Sequence, residues 1–528
     1  MLDQSKKRYR LRIIIPAYAA FNVYSYLARV TTALGPVAVA TAADELEGWD
    51  VEVIDENNFR LHGPRNDSGE VDHEFLQRIR PADVVGFYGG LTSTIPRVYS
   101  LARFYKQKGC ITIAGGQHFA DADVVDEAFD SGVDYLVFGE GEETIKQILH
   151  AFQDKEDLGK VKGIAYRLDG RIIKTPTRPE IVDFDSLPLP NFSLVRYAKL
   201  KSYSIGRIRG CEMNCEFCTV KGKPRCASPE RILAQISSLV ETRDARHFFI
   251  VDDLFGQQRD ETIRFCEMLR DYQIKIATRL NLGVQIRLDK SRDTQLLTAM
   301  RQAGICSLAI GYESPIDEDL QAMNKRLRAE EMIAQTKIYH KFGFLVHGMF
   351  IFGYPRKDGI NSKITLEERV ERYRDFIRRA KVDSIQVLLA IPLPGTEFRQ
   401  RLKGQNRIYP LECVGWQYYD GNFPIFEPDA PFTSEQIQDA VKQIMEKFYR
   451  FRYMFMIGFN VLAFATMIFY LHNIKAGWRR WYRNWRNHLV RFIGWLTMRG
   501  WMKAFKKDNF RQKLAQAKEY LKKDKKKG

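Results

Sequence analysis

Three cysteines, Cys211, Cys215 and Cys218, fall within eight residues in the order C-x3-C-x2-C. A short irregular loop with that spacing can wrap an iron–sulfur cubane and offer thiolates to three of its irons, leaving the fourth without a protein ligand. An open iron can chelate the amine and carboxylate of a small molecule, which turns an electron-transfer cluster into a place where bonds break. The same residues admit a second chemistry. Cys211, Cys215, Cys218 and Cys226 could close four thiolates on zinc, although the second C-x2-C usual in such sites is missing. Cys110, Cys266, Cys306 and Cys413 stand singly in apolar surroundings and read as small buried hydrophobes.

The cysteine loop needs a scaffold, and the pattern around it supplies one. From residue 203 to about 426, short apolar runs alternate with helical spacing, with strand candidates at 203–208, 247–251, 277–284, 307–311, 346–352 and 384–390. Polar groups stand at their ends: Asp252 and Asp253, Gln285 and Arg287, and Glu313 in Gly311-Tyr312-Glu313-Ser314. Carboxylates in such places also cap helices. Residues 8–150 alternate in the same way, with strands at 11–16, 51–55, 83–87, 111–116 and 135–138, a pattern that predicts a doubly wound parallel sheet binding its ligands at the carboxyl ends of the strands. Those ends are rich in glycine and hydroxyl residues: 89–94 with Thr92, Ser93 and Thr94, 115–118 with Gly115 and Gly116, and 139–142 with Gly139 and Glu140. Glycine permits close backbone approach and hydroxyls can meet the amides of a large ligand, although any such sheet needs glycine turns. A hairpin with its turn at Asp169-Gly170 and the run Leu187-Pro188-Leu189-Pro190 mark a connector over 151–200.

The cysteine triplet, with Phe217 directly before its last member and Arg207 and Arg209 leading in, resembles the signature of the radical S-adenosylmethionine (SAM) superfamily. The sheet ahead of it resembles the cobalamin-binding domain of the cobalamin-dependent class of those enzymes, and the domain order is similar to that of hopanoid methylases and anaerobic Mg-porphyrin cyclases. The resemblance implies an α/β chain: a Rossmann-like domain over 1–150, a partial (β/α)6 barrel over 201–426 and a helical region over 427–528. It implies a 4Fe-4S cluster on Cys211, Cys215 and Cys218, and SAM cleaved to a 5'-deoxyadenosyl radical. Phe217, Asp252, Asp253, Gln285 and Glu313 would contact SAM, with Gln285 and Arg287 following the fourth strand, Glu313 ending the fifth and 348–355 containing the sixth. Cobalamin would lie on Thr92, Ser93, Thr94, Gly115, Gly116, Gly139 and Glu140. The D-x-H-x-x-G motif is absent, so no histidine is expected below cobalt, and His62, His73 and His118 read as loop or surface residues.

The formal charge of +17 is concentrated at the C-terminus. From Lys475 onward 18 Lys and Arg stand against 3 Asp and Glu, a difference of +15, so the catalytic part is near neutral and no nucleic-acid surface is expected. Residues 453–474 carry no acid, Lys or Arg, long enough for a membrane span. Spanning would place the basic tail outside, against the positive-inside rule. The expectation is therefore a monotopic attachment to an anionic membrane surface, on the cytoplasmic side, through the apolar run and a basic helix with Leu489, Phe492, Ile493 and Leu496 at helical spacing and five of the seven tryptophans. A buried helix closing the fold is the competing reading. Cysteine usage and the lack of a signal peptide at the start argue for a reducing cytoplasm.

The activity these features imply is methylation of an unactivated carbon of a hydrophobic or lipid substrate, with a flavodoxin or ferredoxin as electron donor. Radical cyclisation or carbon–carbon coupling is the alternative, and a non-enzymatic, membrane-associated iron–sulfur redox sensor is the second. A tRNA methylthiotransferase would carry a further N-terminal cysteine triplet, which has no counterpart here.

Overall fold

A computed structural model describes residues 9–325, 327–357, 364–462 and 475–525. Its first sheet grows from β1 (Tyr9–Ile15), whose apolar residues are sealed on both faces. Parallel to it run β2 (Trp49–Asp55), β3 (Val84–Tyr88), β4 (Ile111–Gly115) and β5 (Tyr135–Val137), in the order β2-β1-β3-β4-β5. Chain direction across the sheet reverses between β1 and β3, which opens a crevice at their carboxyl ends. Arg12 lies in the middle of β1 and is fully buried, yet every bond it needs is made: Glu52 at 2.8 Å, Tyr105, Gln77 and the carbonyls of Leu76 and Arg80. The expected hairpin is present as β6 (Ile164–Leu168) and β7 (Arg171–Lys174), turning through Asp169 and Gly170 at positive φ. It adds to β5 as antiparallel edge strands, so the first sheet runs to Lys174 and takes in half of the connector.

The second sheet is parallel throughout and contains β8 (Tyr203–Ile205), β11 (His247–Phe255), β12 (Asn281–Ile286), β13 (Ile305–Glu313), β14 (Leu345–Phe352) and β15 (Ser384–Leu389), in that spatial order. The short pair β9 (Ile208–Arg209) and β10 (Arg225–Cys226) stands apart as a hairpin. Gln285 therefore belongs to the third strand of the barrel sheet, Glu313 ends the fourth and 348–355 begins in the fifth, one place earlier than the resemblance suggested. Burial alternates along these strands. Outward residues such as Val346, Phe350 and Phe352 are sealed beneath helices, while inward ones keep contact with solvent, as a partial barrel with an open lumen requires.

The helix Ser434–Phe448 begins on the expected capping box, Thr433 with Gln436. The tail departs from its expectation. Helix Arg452–Leu462 and helix Lys475–Lys507 pair as an antiparallel hairpin, with Tyr453 against His488 and Arg491 and Phe451 against Trp495. The far end of that hairpin is packed into the protein: Met498 and Trp501 are buried, and Arg491 donates to the Val382 carbonyl two residues ahead of β15. Helix Phe510–Asp524 then buries Phe510, Leu514, Ala517 and Leu521, and Lys518 pairs with Glu435. The basic tail is thus in large part the competing reading, a helical closure of the fold, because its apolar stripe fits the core better than solvent. Residues 463–474 of the apolar run lie outside the described residues. Among the described residues no helix is long and apolar enough to cross a membrane.

The loop of residues 16–33 is held by four polar residues at the end of β2. Asp55 accepts from Thr32, Glu56 from the Ala17 amide, Asn57 from the Tyr18 amide, and Asn58 donates to the carbonyls of Ala28 and Thr31. Burial pushes the Glu56 carboxyl up, but the hydrogen bonds and charges of His73 and Arg97 outweigh it and hold Glu56 at about 2. A depressed carboxylate stabilises the fold above its unfolded pKa and loses that contribution as pH falls through its folded value. Glu56→Gln is therefore expected to cost about 3 kcal/mol at pH 7, and the deficit to shrink toward zero between about pH 4.5 and pH 2 in denaturant melts.

Candidate functional site

Strands β9 and β10 close the base of the cysteine loop, which has neither helix nor strand between them. Its first end is pinned from β11: Asp252 accepts from the amides of Arg207 at 2.5 Å and Ile208 at 2.8 Å, and Asp253 from that of Gly210 at 2.7 Å. Its middle hangs on Glu216, which is buried between Cys215 and Cys218 and accepts from the Tyr354 hydroxyl at 2.5 Å and Arg401 at 2.8 Å. Lys221 donates to the Cys215 carbonyl at 3.1 Å. Cys211, Cys215 and Cys218 are half-buried. Burial raises the Cys215 and Cys218 thiols, and the charges of the neighbouring thiols add to it. Among the described residues no three His, Cys, Asp or Glu side chains converge on a point suited to one metal ion. Cys226 sits in β10 opposite Ile208, with Arg207 and Asp252 as its charged neighbours. The four-thiolate zinc arrangement is not assembled. A cubane makes a different demand, since each thiolate takes its own iron and the sulfurs stand apart around the cluster.

The other expected SAM contacts divide. Glu313 reaches the loop: it stands at φ 62°, pairs with Lys325 at 2.6 Å, and both act on Cys215. Asp253 and Gln285 face the inner wall of the barrel. Asp252 does not, because strand alternation turns it outward, where it is committed to the loop backbone; its Oδ2 is buried without a partner. Phe217 packs edge-on against Tyr354. Arg287 donates to the sulfur of Met213 inside the cysteine loop.

At the carboxyl ends of β1, β3, β4 and β5 lies a cavity of about 600 Å3. Gly115, Gly116, Gly139 and Glu140 line it as expected, joined by Tyr88, Gly90, Gln117 and the first turns of helix Leu34–Asp44. On the far side it meets Gly206, Val251 and Asp253 of the barrel, so it opens toward the lumen. Gly116 has φ 124°, and a Cβ there would stand 2.6 Å from the backbone of Gly89 and Gly90, which keeps the two loops in contact. Thr92, Ser93 and Thr94 are not part of this wall. They form a buried turn in which Thr94 bonds the Leu91 carbonyl and Thr92 faces His118 at 3.4 Å, packed against the segment Trp416–Tyr418. His73 and His118 are likewise buried rather than surface residues. His73 bonds Tyr105 and Glu56, while His118 is wedged edge-on against Trp416 and burial drives its pKa to about 3.

Glu140 lines the cavity, but its carboxylate is taken. It accepts from Arg209 and Arg225, both at 2.8 Å, and from the Ile181 amide, while Glu142 also binds Arg209. These arginines belong to β9 and β10, so the pairs clamp the first domain to the base of the cysteine loop. Gln117 adds a second link, accepting from Thr219 one residue beyond Cys218. Neither these contacts nor the Glu216 anchor had a signal in the sequence, because the partners lie 41 to 185 residues apart.

Comparison with known proteins agrees with both halves of this arrangement. The B12 binding domain family matches residues 25–149 and the Radical SAM superfamily matches residues 205–359. The chain belongs to the radical SAM enzymes that carry a B12-binding domain. The cofactors of such an enzyme are a 4Fe-4S cluster, SAM and cobalamin. An uncharacterized methyltransferase of Pyrococcus horikoshii, PH0819, is 26% identical over 378 residues, covering 70% of this chain and 78% of the relative. An anaerobic magnesium-protoporphyrin IX monomethyl ester cyclase of Rubrivivax gelatinosus is also 26% identical, over 72% of this chain and 67% of its own. The solved structure of OxsB, a cobalamin-dependent SAM radical enzyme, aligns with a TM-score of 0.64 over 92% of this chain and 72% of its own, at 15% identity, a likeness of fold.

The clamp yields a test. Glu140→Ala takes the nearer carboxylate from Arg225, which is 16% exposed, and leaves it only the more exposed Glu180 at 3.3 Å. The expected cost is about 2 kcal/mol in thermal or denaturant unfolding, with faster proteolysis in residues 175–200 in the folded protein.

Proposed function

We propose that this B12-binding radical SAM enzyme is a C-methyltransferase acting on an unactivated carbon of a hydrophobic substrate. The observation that carries the proposal is the opening of the glycine-lined cavity onto the inner wall of the barrel at Val251 and Asp253, beside the strand ends that hold the cysteine loop. When bound, the cluster supplies the electron that cleaves SAM, and cobalamin supplies a methyl group. Cys211, Cys215 and Cys218 would hold the cluster. The donor set fits: three free, half-buried thiols on a loop pinned at one end and in its middle. Asp253, Gln285 and Glu313 would face SAM. The cavity fits a large ligand built of amides, with backbone at Gly90, Gly115, Gly116 and Gly139 and the Gln117 side chain offering hydrogen bonds. The chain's own part is to hold both sites in register, to keep the buried walls dry and to orient the substrate between them. A cyclase is also among the relatives, aligned over 72% of this chain. The wide inter-domain cavity, whose walls offer both backbone and apolar surface, is what favours methyl transfer here.

Replacing any one of Cys211, Cys215 or Cys218 by Ala is expected to abolish formation of 5'-deoxyadenosine after anaerobic reconstitution, with iron content reduced. Ala38→Trp, which fills the cavity from helix Leu34–Asp44 without backbone strain, is expected to abolish retention of cobalamin, read by absorption, while iron content stays at the wild-type level. Cobalamin retained by that variant would place its site elsewhere.

The substrate and partner parts of the proposal rest on the tail hairpin. Phe455, Phe459, Val461, Ile493 and Leu496 on it are each at least half exposed. Such a concentration of apolar side chains marks an interaction surface. Arginines 452, 483 and 499 on the same two helices make an anionic leaflet its fitting occupant. Full-length protein is expected to float with anionic vesicles and less with neutral ones, and Phe455→Glu with Phe459→Glu to reduce flotation by about tenfold or more. Equal flotation of the double variant would remove the membrane role.

A further inference from the structure

The inner wall of the barrel is not uniform. Toward β11 and at the upper levels it is apolar, with Phe249 and Val251 each 39% exposed and Met349, Ile351 and Leu388 half-buried. One row across the sheet is polar at three of its four places instead: Gln285 pairs with Ala309, Ala309 with His347 and His347 with Ser384, all four on the inward face. Above Ser384 on the same face is Gln386. His347 Nδ1 and the Ser384 hydroxyl are 2.9 Å apart, and Gln386 is a polar neighbour of both His347 and Tyr24. Tyr24 comes from the loop of residues 16–33, so the first domain supplies one wall of this corner.

We propose that His347, Ser384, Gln386 and Tyr24 form a subsite for an uncharged hydrogen-bonding end group, a hydroxyl, carbonyl or amide, at the end of an otherwise apolar substrate. This deepens the reading of the barrel as the reaction chamber and rests on it. The corner offers both donors and acceptors through an amide, an imidazole and two hydroxyls, which matches a neutral group that does both. Burial depresses the proton affinity of His347, so the imidazole enters as a neutral partner. The nearby ions are already committed. Glu313 is paired with Lys325, and burial of Asp420, the acid acting on Tyr24, pushes its carboxyl up to about 7 toward the uncharged form, with both oxygens held by Asn422. A charged end group would be desolvated here without a counter-ion, at large cost. Glu313 lies four residues beyond Ala309, the partner of His347, so the end group would sit about 13 Å below the strand tops. That spacing favours an elongated molecule bound end-on.

The test uses the reconstituted full-length protein and four probes of one chain length, below their micellar concentrations: decanol, decanamide, decanoate and decylammonium, by titration calorimetry without reductant. The two neutral probes are expected to bind about tenfold more tightly than either ion. His347→Leu should weaken decanol about three- to tenfold. Gln386→Glu should shift the preference to decylammonium, a gain that misfolding cannot produce. Decanoate bound as tightly as decanol, or an unchanged preference in Gln386→Glu, overturns the subsite. SAM cleavage by the same wild-type preparation separates the two claims. Cleavage without end-group preference rejects the subsite alone, and absence of cleavage rejects the enzyme reading beneath it.

Discussion

The arrangement depends on a clamp of carboxylates and guanidiniums between the two domains. Glu140 and Glu142, at the carboxyl end of the first sheet, hold Arg209 and Arg225 on the hairpin that closes the cysteine loop. The geometry has a chemical consequence. A cavity at a topological switch point binds a ligand whether or not another domain is near, and a cysteine loop holds a cluster on its own. Only a fixed relation between them lets the contents of one meet the contents of the other, and small displacements of reacting groups cost large factors in rate. Planar guanidiniums with several fixed donors serve that purpose better than an ammonium.

The cysteine loop itself is suspended from four elements. Asp252 and Asp253 hold its entry, Tyr354 and Arg401 hold Glu216 at its centre, and Lys325 and Glu313 stand beside Cys215. The loop has no regular structure of its own, so its shape comes from side chains on strands and helices that are rigid for other reasons. A site on such supports holds its geometry more closely than a free loop does.

Much of this was legible in the sequence, for reasons of period and spacing. Buried parallel strands read as short apolar runs, and all five parallel strands of the first sheet and all six of the barrel sheet lie where such runs occur. The cysteine spacing announced its chemistry because a loop that short leaves little choice. What sequence did not reveal was the use of polar residues. Thr92, Ser93 and Thr94 have a composition suited to a ligand but are consumed by a buried turn, and Asp252 is turned outward by strand alternation. Glu216 carries a structural role while looking like a spacer. The Trp-rich helix Lys475–Lys507 has the composition of a membrane interface, yet Met498 and Trp501 are buried in the protein. Composition fixes what a surface can bind; only the tertiary partner decides which surface binds it.

The most direct measurement of the central claim is the fate of the SAM methyl group. Reduced, cobalamin-loaded protein would be incubated with trideuteromethyl SAM and a total lipid extract, and the extract analysed by mass spectrometry alongside 5'-deoxyadenosine. The account predicts that deoxyadenosine forms and that a lipid species gains the intact trideuteromethyl group. Deoxyadenosine formed with no deuterium entering the extract, and a product that has lost hydrogen instead, would contradict methyl transfer and point to ring closure.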